Sequence, residues 1–155
     1  METLEISREL DGVVTKEATV VAMSGGVDSS VAAAMMTRSQ SNVIGITLKL
    51  YDEKKVAKSK TCCAGSDILD AKRIASTINI PHYVLDYESI FRENVIDPFI
   101  AEYKAGRTPI PCISCNEKVK FLDLINFARK IGASSLTTGH YIKKLKIGDE
   151  WGLYI

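Results

Sequence analysis

No apolar stretch in the chain is long enough to span a bilayer. The densest, Val31 to Met36, is six residues, where a spanning helix needs roughly 20. The opening Met1-Glu2-Thr3-Leu4-Glu5 holds no apolar run, so no secretory signal is expected. Neither sign of charge is in excess: Lys and Arg number 20 against 19 Asp and Glu, for a net charge of +1. That balance excludes a protein that coats nucleic acid non-specifically, so any such contact must come from a local patch. Cysteines are few, four in all, as Cys62-Cys63 and Cys112-x-x-Cys115. Without an export signal they read as thiols or metal ligands rather than a disulfide framework. One adjacent pair and one C-x-x-C make an untidy set for zinc or an iron–sulfur cluster, so no metal site is expected there. Cys62 and Cys63 read instead as small buried hydrophobes near a loop. What is present, 155 residues with 46% hydrophobic and 25% charged, suffices for one domain with a real core. The expectation is a cytoplasmic globular protein with no membrane partner.

Residues 1–18 read as a loose polar arm. Thr19 to Met23 is a short apolar run suited to a strand buried on both faces. The Ala- and Met-rich segment Asp28 to Gln40 reads as helix, and Val43 to Leu48 as a second buried strand. Residues 49–65 lack periodicity and carry Lys49, Lys54, Lys55, Lys58 and Lys60 against Asp52 and Glu53. Ser66 can cap a helix to Asn79, with Ala71, Ile74, Ala75 and Ile78 at helical spacing. His82 to Asp86 is a third strand, with His82 structural. A helix to Gly106 follows, with a break or a new start at Asp97-Pro98. Arg107 to Cys115 reads as a Pro-punctuated loop, and Asn116 as the cap of a helix ending near Gly132. Ser135 to Thr138 is a fourth strand. Strands alternating with helices predict an α/β fold with a doubly wound, mostly parallel sheet. The expected domain spans 19–142. Residues 143–155, ending in the apolar run Trp151 to Ile155, read as the start of a truncated downstream region with an unpaired strand.

Ser24-Gly25-Gly26-Val27-Asp28-Ser29-Ser30 lies where the first strand meets the first helix, the place where an open α/β sheet binds ligands. Two glycines allow close backbone approach. The unpaired N–H groups of the helix start favour an anion, and Ser24, Ser29 and Ser30 add hydroxyl donors. Neither a Gly-x-x-x-x-Gly-Lys-[Ser/Thr] loop nor a Gly-x-Gly-x-x-Gly fingerprint is present. The seven residues resemble the pyrophosphate loop of ATP pyrophosphatases, Ser-Gly-Gly-x-Asp-Ser-[Ser/Thr]. The resemblance implies an adenine-nucleotide alpha-hydrolase-like domain that cleaves ATP between its α and β phosphates, with Asp28 acting through Mg²⁺. A plain strand-to-helix turn capped by Ser and Asp is the competing reading. On the functional one, Asp28→Ala weakens ATP binding and Gly26→Val abolishes it.

Ala105-Gly106-Arg107-Thr108-Pro109-Ile110-Pro111-Cys112-Ile113-Ser114-Cys115-Asn116 narrows the reading further. A thiol at a helix cap has a lowered pKa and is nucleophilic near neutral pH, and Cys115 is expected at the cap, more reactive than Cys112. With Glu102-Tyr103-Lys104, Val119-Lys120-Phe121 and Thr138-Gly139-His140-Tyr141, the loop resembles the bacterial tRNA-specific 2-thiouridylases, from about Thr19 to about Lys143. The resemblance implies a tRNA-uridine 2-sulfurtransferase. Such an enzyme adenylates the C2 oxygen of a wobble uridine, takes sulfur from a cysteine persulfide and releases AMP. Its cofactors would be ATP and Mg²⁺, and its partners tRNA and a persulfide donor protein.

Residue by residue, Cys115 matches the family's nucleophile. Ala22, Met23, Ser24, Gly25, Gly26, Val27, Asp28, Ser29 and the neighbouring Ser30 match its nucleotide loop. Leu48 matches a position beside the adenine, and Gly139 a further nucleotide contact. Ile110, Pro111 and Cys112 match a stretch against the target base, and His140 a tRNA contact. Cys112 departs from the family, which commonly has Asp there. The family's persulfide-carrying cysteine belongs to a downstream region, so this chain is expected to bind ATP without completing thiolation. The alternatives are another pyrophosphate-loop synthetase or tRNA sulfurtransferase, or a nucleotide-binding module inactive alone. The lysines of 49–60 and Lys143, Lys144 and Lys146 read equally as a solvated face or as phosphate contacts.

Overall fold

The computed structural model describes residues 17–40, 42–51 and 65–154. Cys62, Cys63 and Lys54, Lys55, Lys58 and Lys60 lie outside them, as do residues 1–16 of the expected arm. The arm cannot extend to residue 18: Ala18 is fully buried, and its carbonyl accepts from the N–H and hydroxyl of Ser134 at 2.9 and 3.0 Å.

In chain order the elements are β1 (Thr19–Ala22), α1 (Val27–Ser39), β2 (Val43–Lys49), α2 (Gly65–Thr77) and β3 (His82–Asp86). Two long helices follow, α3 (88–104) and α4 (111–130), then β4 (Ser135–Thr137), β5 (Lys143–Ile147) and β6 (Glu150–Tyr154). The first four strands form a parallel sheet in the order β3-β2-β1-β4. This is the expected doubly wound α/β arrangement. Alternation along β1 shows why both faces are apolar: Val20 enters a core with Phe91, Val95, Val119 and Phe127 of α3 and α4. Val21, one residue on, faces Ala33 of α1 and Ala71 and Ala75 of α2 on the other side.

Three expected boundaries are corrected. Asp97-Pro98 does not break α3, which runs through Glu88–Phe91, a wide π turn at Arg92–Ile96 and Asp97–Lys104. The proline directly follows the wide turn, where the Asp97 N–H donates five residues back to the Arg92 carbonyl and the bonding register shifts just before the residue that has no N–H. The amide of Asn94 donates to the Ile90 carbonyl at 3.0 Å, supporting the widened turn. The second correction is to α4, which starts at Pro111 rather than Asn116: Pro at the first helical position is pre-set for helix, so it opened the element instead of closing a loop. Third, residues 151–154 are not an unpaired edge. They belong to β6, which pairs antiparallel with β5 around a turn containing Gly148 at φ +64°.

His82 is structural, as expected. Its Nε2 lies 2.8 Å from the Thr47 hydroxyl, which donates its own proton to the Met23 carbonyl at 2.7 Å. The ring must therefore donate from Nε2, and its buried Nδ1 has no hydrogen-bond partner. Burial, followed by the charge of Lys72, pushes the pKa from 6.5 down to about 4. Because the folded pKa lies below the unfolded one, the stabilising contribution is complete above the unfolded value of 6.5 and is lost as pH falls towards about 4. Denaturant titrations near pH 7 and near pH 5 are expected to show a loss for the wild type that is smaller in His82→Gln. Equal losses would remove His82 as the cause.

Candidate active site

A cavity of about 220 Å³ opens at the C-terminal edge of the sheet. The chain leaves β1 towards β2 on one side, and β4 returns on the other, so this is the topological switch point where α/β sheets bind ligands. Ala22, Met23, Ser24, Asp28 and Ser29 line it from the first strand–helix turn, and Ile46, Leu48 and Leu50 from β2 and its end. Lys120 reaches it from α4, and Thr138, Gly139 and His140 from the turn after β4.

The turn after β1 is held by its own serines. Ser29 is buried; its hydroxyl accepts from the Ser24 N–H at 3.1 Å and donates to the Gly26 carbonyl at 3.0 Å. Ser30 donates to the same carbonyl at 2.7 Å. Both protons are thus engaged in shaping the loop. The anion-binding capacity rests on the backbone N–H groups at the start of α1, which have no intrahelical carbonyl to meet.

The glycine that geometry demands is Gly25. It has φ +77°, and a Cβ there would lie 2.3 Å from the backbone oxygen of Asp67 on α2. Gly26 has an ordinary extended conformation, φ −77°, and its nearest neighbour to a Cβ is the Ser24 hydroxyl at 3.5 Å. Gly139 presses directly on α1: a Cβ would come within 2.7 Å of the Ser29 nitrogen and 2.9 Å of the Asp28 carbonyl carbon. His140 turns the other way, its ring centroid 4.9 Å from that of Phe121 and its Nδ1 2.8 Å from the Thr138 hydroxyl.

Of the residues expected from sequence, Ala22, Met23, Ser24, Asp28, Ser29, Leu48, Gly139 and His140 converge on the cavity. Gly25, Gly26, Val27 and Ser30 belong to the same turn without lining it. Ile110, Pro111, Cys112 and Cys115 sit outside the cavity at the start of α4, on the helix that delivers Lys120. Arg107 grips both carboxylate oxygens of Glu102 across the turn at Gly106, anchoring the loop that leads to them.

With α4 beginning at Pro111, Cys115 is not a cap residue. It lies a turn into the helix, 8% exposed among core side chains, whereas Cys112 is exposed in the first turn. Alkylation with iodoacetamide, read by mass spectrometry, is therefore expected to modify Cys112 at least about tenfold faster than Cys115, on exposure alone. Faster labelling of Cys115 would show that the first turns of α4 open in solution.

Sequence reasoning missed Lys120, Ile46, Leu50 and Thr138 as cavity residues, and the hydrogen bond from Tyr141 to Asp28. Strand periodicity could have found Ile46, which shares a face with Leu48. Lys120 stands in the Val119-Lys120-Phe121 run that carries the family resemblance, but no site role is drawn from it.

The parallel sheet, with a cavity at its switch point beside a glycine turn, defines an open α/β fold of the ligand-binding type. In keeping with this, the profile of the family described as the tRNA methyl transferase HUP domain matches residues 17–153, and the chain belongs to that family. It is 53% identical over 147 residues to the tRNA-specific 2-thiouridylase MnmA of Zymomonas mobilis, covering 94% of this chain and 40% of that protein. To the protein of the same name from Rickettsia akari it is 61% identical over 131 residues, covering 84% of this chain and 36% of the relative. The chain thus spans about two fifths of the curated relatives it matches. Among solved structures, an ammonia-dependent NAD synthetase from Campylobacter jejuni superposes with a TM-score of 0.51 at 17% identity. The alignment covers 85% of this chain and 51% of that one, a likeness of fold. Among the described residues no helix is long and apolar enough to cross a membrane.

Proposed function

We propose that residues 19–142 form the nucleotide-activating unit of a cytoplasmic tRNA 2-thiouridylase, with 143–155 leading into a further region. ATP would lie in the switch-point cavity. The apolar side chains of Ile46, Leu48 and Leu50 suit an adenine, and the N–H groups opening α1 suit phosphate oxygens. The observation that carries the reading is the turn itself: packed through Gly25 on α2 and through Gly139 on α1, it sets the start of α1, with its unpaired N–H groups, beside the switch-point cavity. Lys120 adds positive charge on the opposite wall.

Asp28 is the carboxylate suited to a Mg²⁺ shared with phosphates, since this ion takes one or two protein carboxylates and leaves its other positions to water and substrate. Among the described residues there is no cluster of three or more His, Cys, Asp or Glu for an all-protein cage. Bound there, Mg²⁺ would neutralise charge on the departing pyrophosphate. The backbone N–H groups hold the β and γ phosphates, so the α phosphorus faces incoming substrate. The uridine C2 oxygen attacks it, and pyrophosphate leaves. A cysteine persulfide, on the carrier cysteine expected downstream and charged by the donor protein, then attacks C2 through its outer sulfur, and AMP leaves with the oxygen. The Cys115 thiolate attacks the inner sulfur, breaking the S–S bond. The outer sulfur stays on C2 as the thiocarbonyl, and a disulfide remains between Cys115 and the carrier cysteine. Ile110, Pro111, Cys112 and His140 present the base and tRNA, and Cys115 is the chain's nucleophilic thiol. Since Cys115 is buried, this role requires the first turn of α4 to move when tRNA docks.

Methyl transfer, which the family description names, is supported less well: a methyl donor of the sulfonium type carries no phosphates for this turn to hold. The test is ATP turnover with Mg²⁺ and tRNA bearing an unmodified wobble uridine. Pyrophosphate release is expected, absent with a wobble cytidine. Orthophosphate release, or indifference to the base, would refute the assignment.

A further inference from the structure

Tyr141 is 73% exposed, yet its phenol reaches back across 113 residues of chain and donates to Asp28 Oδ1 at 2.8 Å. So exposed a side chain contributes little burial, and its contact falls on the carboxylate assigned above to the cation. The route there is built in. Gly139 lies on the backbone of Asp28 and Ser29 with no room for a side chain, and His140 is engaged by Thr138 and Phe121 at the cavity wall. The next residue is thereby left over the start of α1.

From this arrangement we infer that Tyr141 is a positioning residue of the nucleotide site. It acts through Asp28, holding one carboxylate oxygen so that the other is presented in a single orientation. An exposed aspartate in the first turn of a helix otherwise samples several rotamers and must be ordered when a cation-bound phosphate arrives. The phenol orders it beforehand, so the benefit falls on binding of the magnesium complex and not on the nucleotide alone. The inference rests on the assignment of this cavity to ATP, and the substitution needed is conservative because Tyr141 supports no core.

Calorimetry with ATP, in Mg²⁺ and separately in EDTA, on wild type, Tyr141→Phe, Asp28→Ala and the double variant tests it. Tyr141→Phe is expected to weaken magnesium–ATP binding about three- to tenfold, as for loss of one exposed charge-assisted hydrogen bond. Affinity in EDTA should stay within about twofold, and the Tyr141→Phe effect should vanish in the Asp28→Ala background. Equal losses with and without Mg²⁺, or an effect that persists without Asp28, would overturn the positioning role while leaving the ATP site standing. Undiminished magnesium–ATP binding by Tyr141→Phe would do the same. A wild type that binds no ATP would overturn both.

Discussion

Gly25→Ala is expected to eliminate measurable ATP binding, a loss of at least about 100-fold, and to destabilise the fold by about 2 kcal/mol or more. Two effects act together. An alanine is strained at φ +77°, and its methyl would have to occupy space 2.3 Å from a backbone carbonyl oxygen of α2 that has no flexible end to move. The turn must therefore lift from α2, taking with it the N–H groups at the start of α1. Gly26→Ala is the control, because φ −77° suits any residue and the nearest atom stands at 3.5 Å. Its thermal transition is expected within about 2 °C of wild type, as for a change of a few tenths of a kcal/mol. Loss of ATP affinity with stability intact at Gly26 would report backbone approach to phosphate; the same loss at Gly25 reports the shape of the turn. A Gly25→Ala protein with normal stability and affinity would show that the contact with Asp67 is dispensable.

The second large effect is expected at Gly139. A valine there meets the Ser29 nitrogen and Asp28 carbonyl carbon at under 3 Å from its Cβ alone. The strand-to-loop turn after β4 has to move away from α1 by a sizeable fraction of an ångström. That widens the cavity on the side of Thr138 and His140 and pulls Tyr141 from Asp28. Loss of one or two charge-assisted contacts, at about 1.5–3 kcal/mol each, corresponds to a loss of at least about tenfold in affinity for magnesium–ATP, expected by calorimetry. Stability should change much less than with Gly25→Ala, because the turn lies at the edge of the core. Unchanged affinity in Gly139→Val would mean that the cavity does not depend on this wall.

Much of the fold was legible because its signals are local. The apolar runs at Thr19 and Val43, the glycine turn and the regular helix spacing each mark a buried parallel strand or its crossover. The seven-residue turn could be read as an anion site for the same reason: its chemistry lies in consecutive backbone groups. What escaped was tertiary or ambiguous. Pro111 carries the same local preference at a helix start as in a loop, so the beginning of α4, and with it the burial of Cys115, could not be read from Pro spacing. The wide turns at Arg92–Ile96 and Cys115–Asp123 leave no simple periodic mark. Ser29 looked like a ligand donor because a serine at a helix start serves either ligand or loop. The loop role became visible only with the positions of the Ser24 N–H and the Gly26 carbonyl. Tyr141 and Asp28 are too distant in sequence for any local pattern to join them, and Lys120 becomes a site residue only once α4 is packed beside the C-terminal edge of the sheet.

On the proposed function, nucleotide phosphates sit on the turn after β1, at the switch point between β1 and β4. Titrating magnesium–ATP into the isotopically labelled chain while following backbone amide resonances locates them. The largest shifts are expected at Gly25 to Ser29 and at Gly139, with smaller ones at Leu48 and Lys120. A second cavity, of about 250 Å³ and lined by Thr37, Gln40, Asn42 and Pro81, lies at the opposite end of the strands. Shifts centred there, or none at Gly25 to Ser29 under saturating nucleotide, would contradict the account.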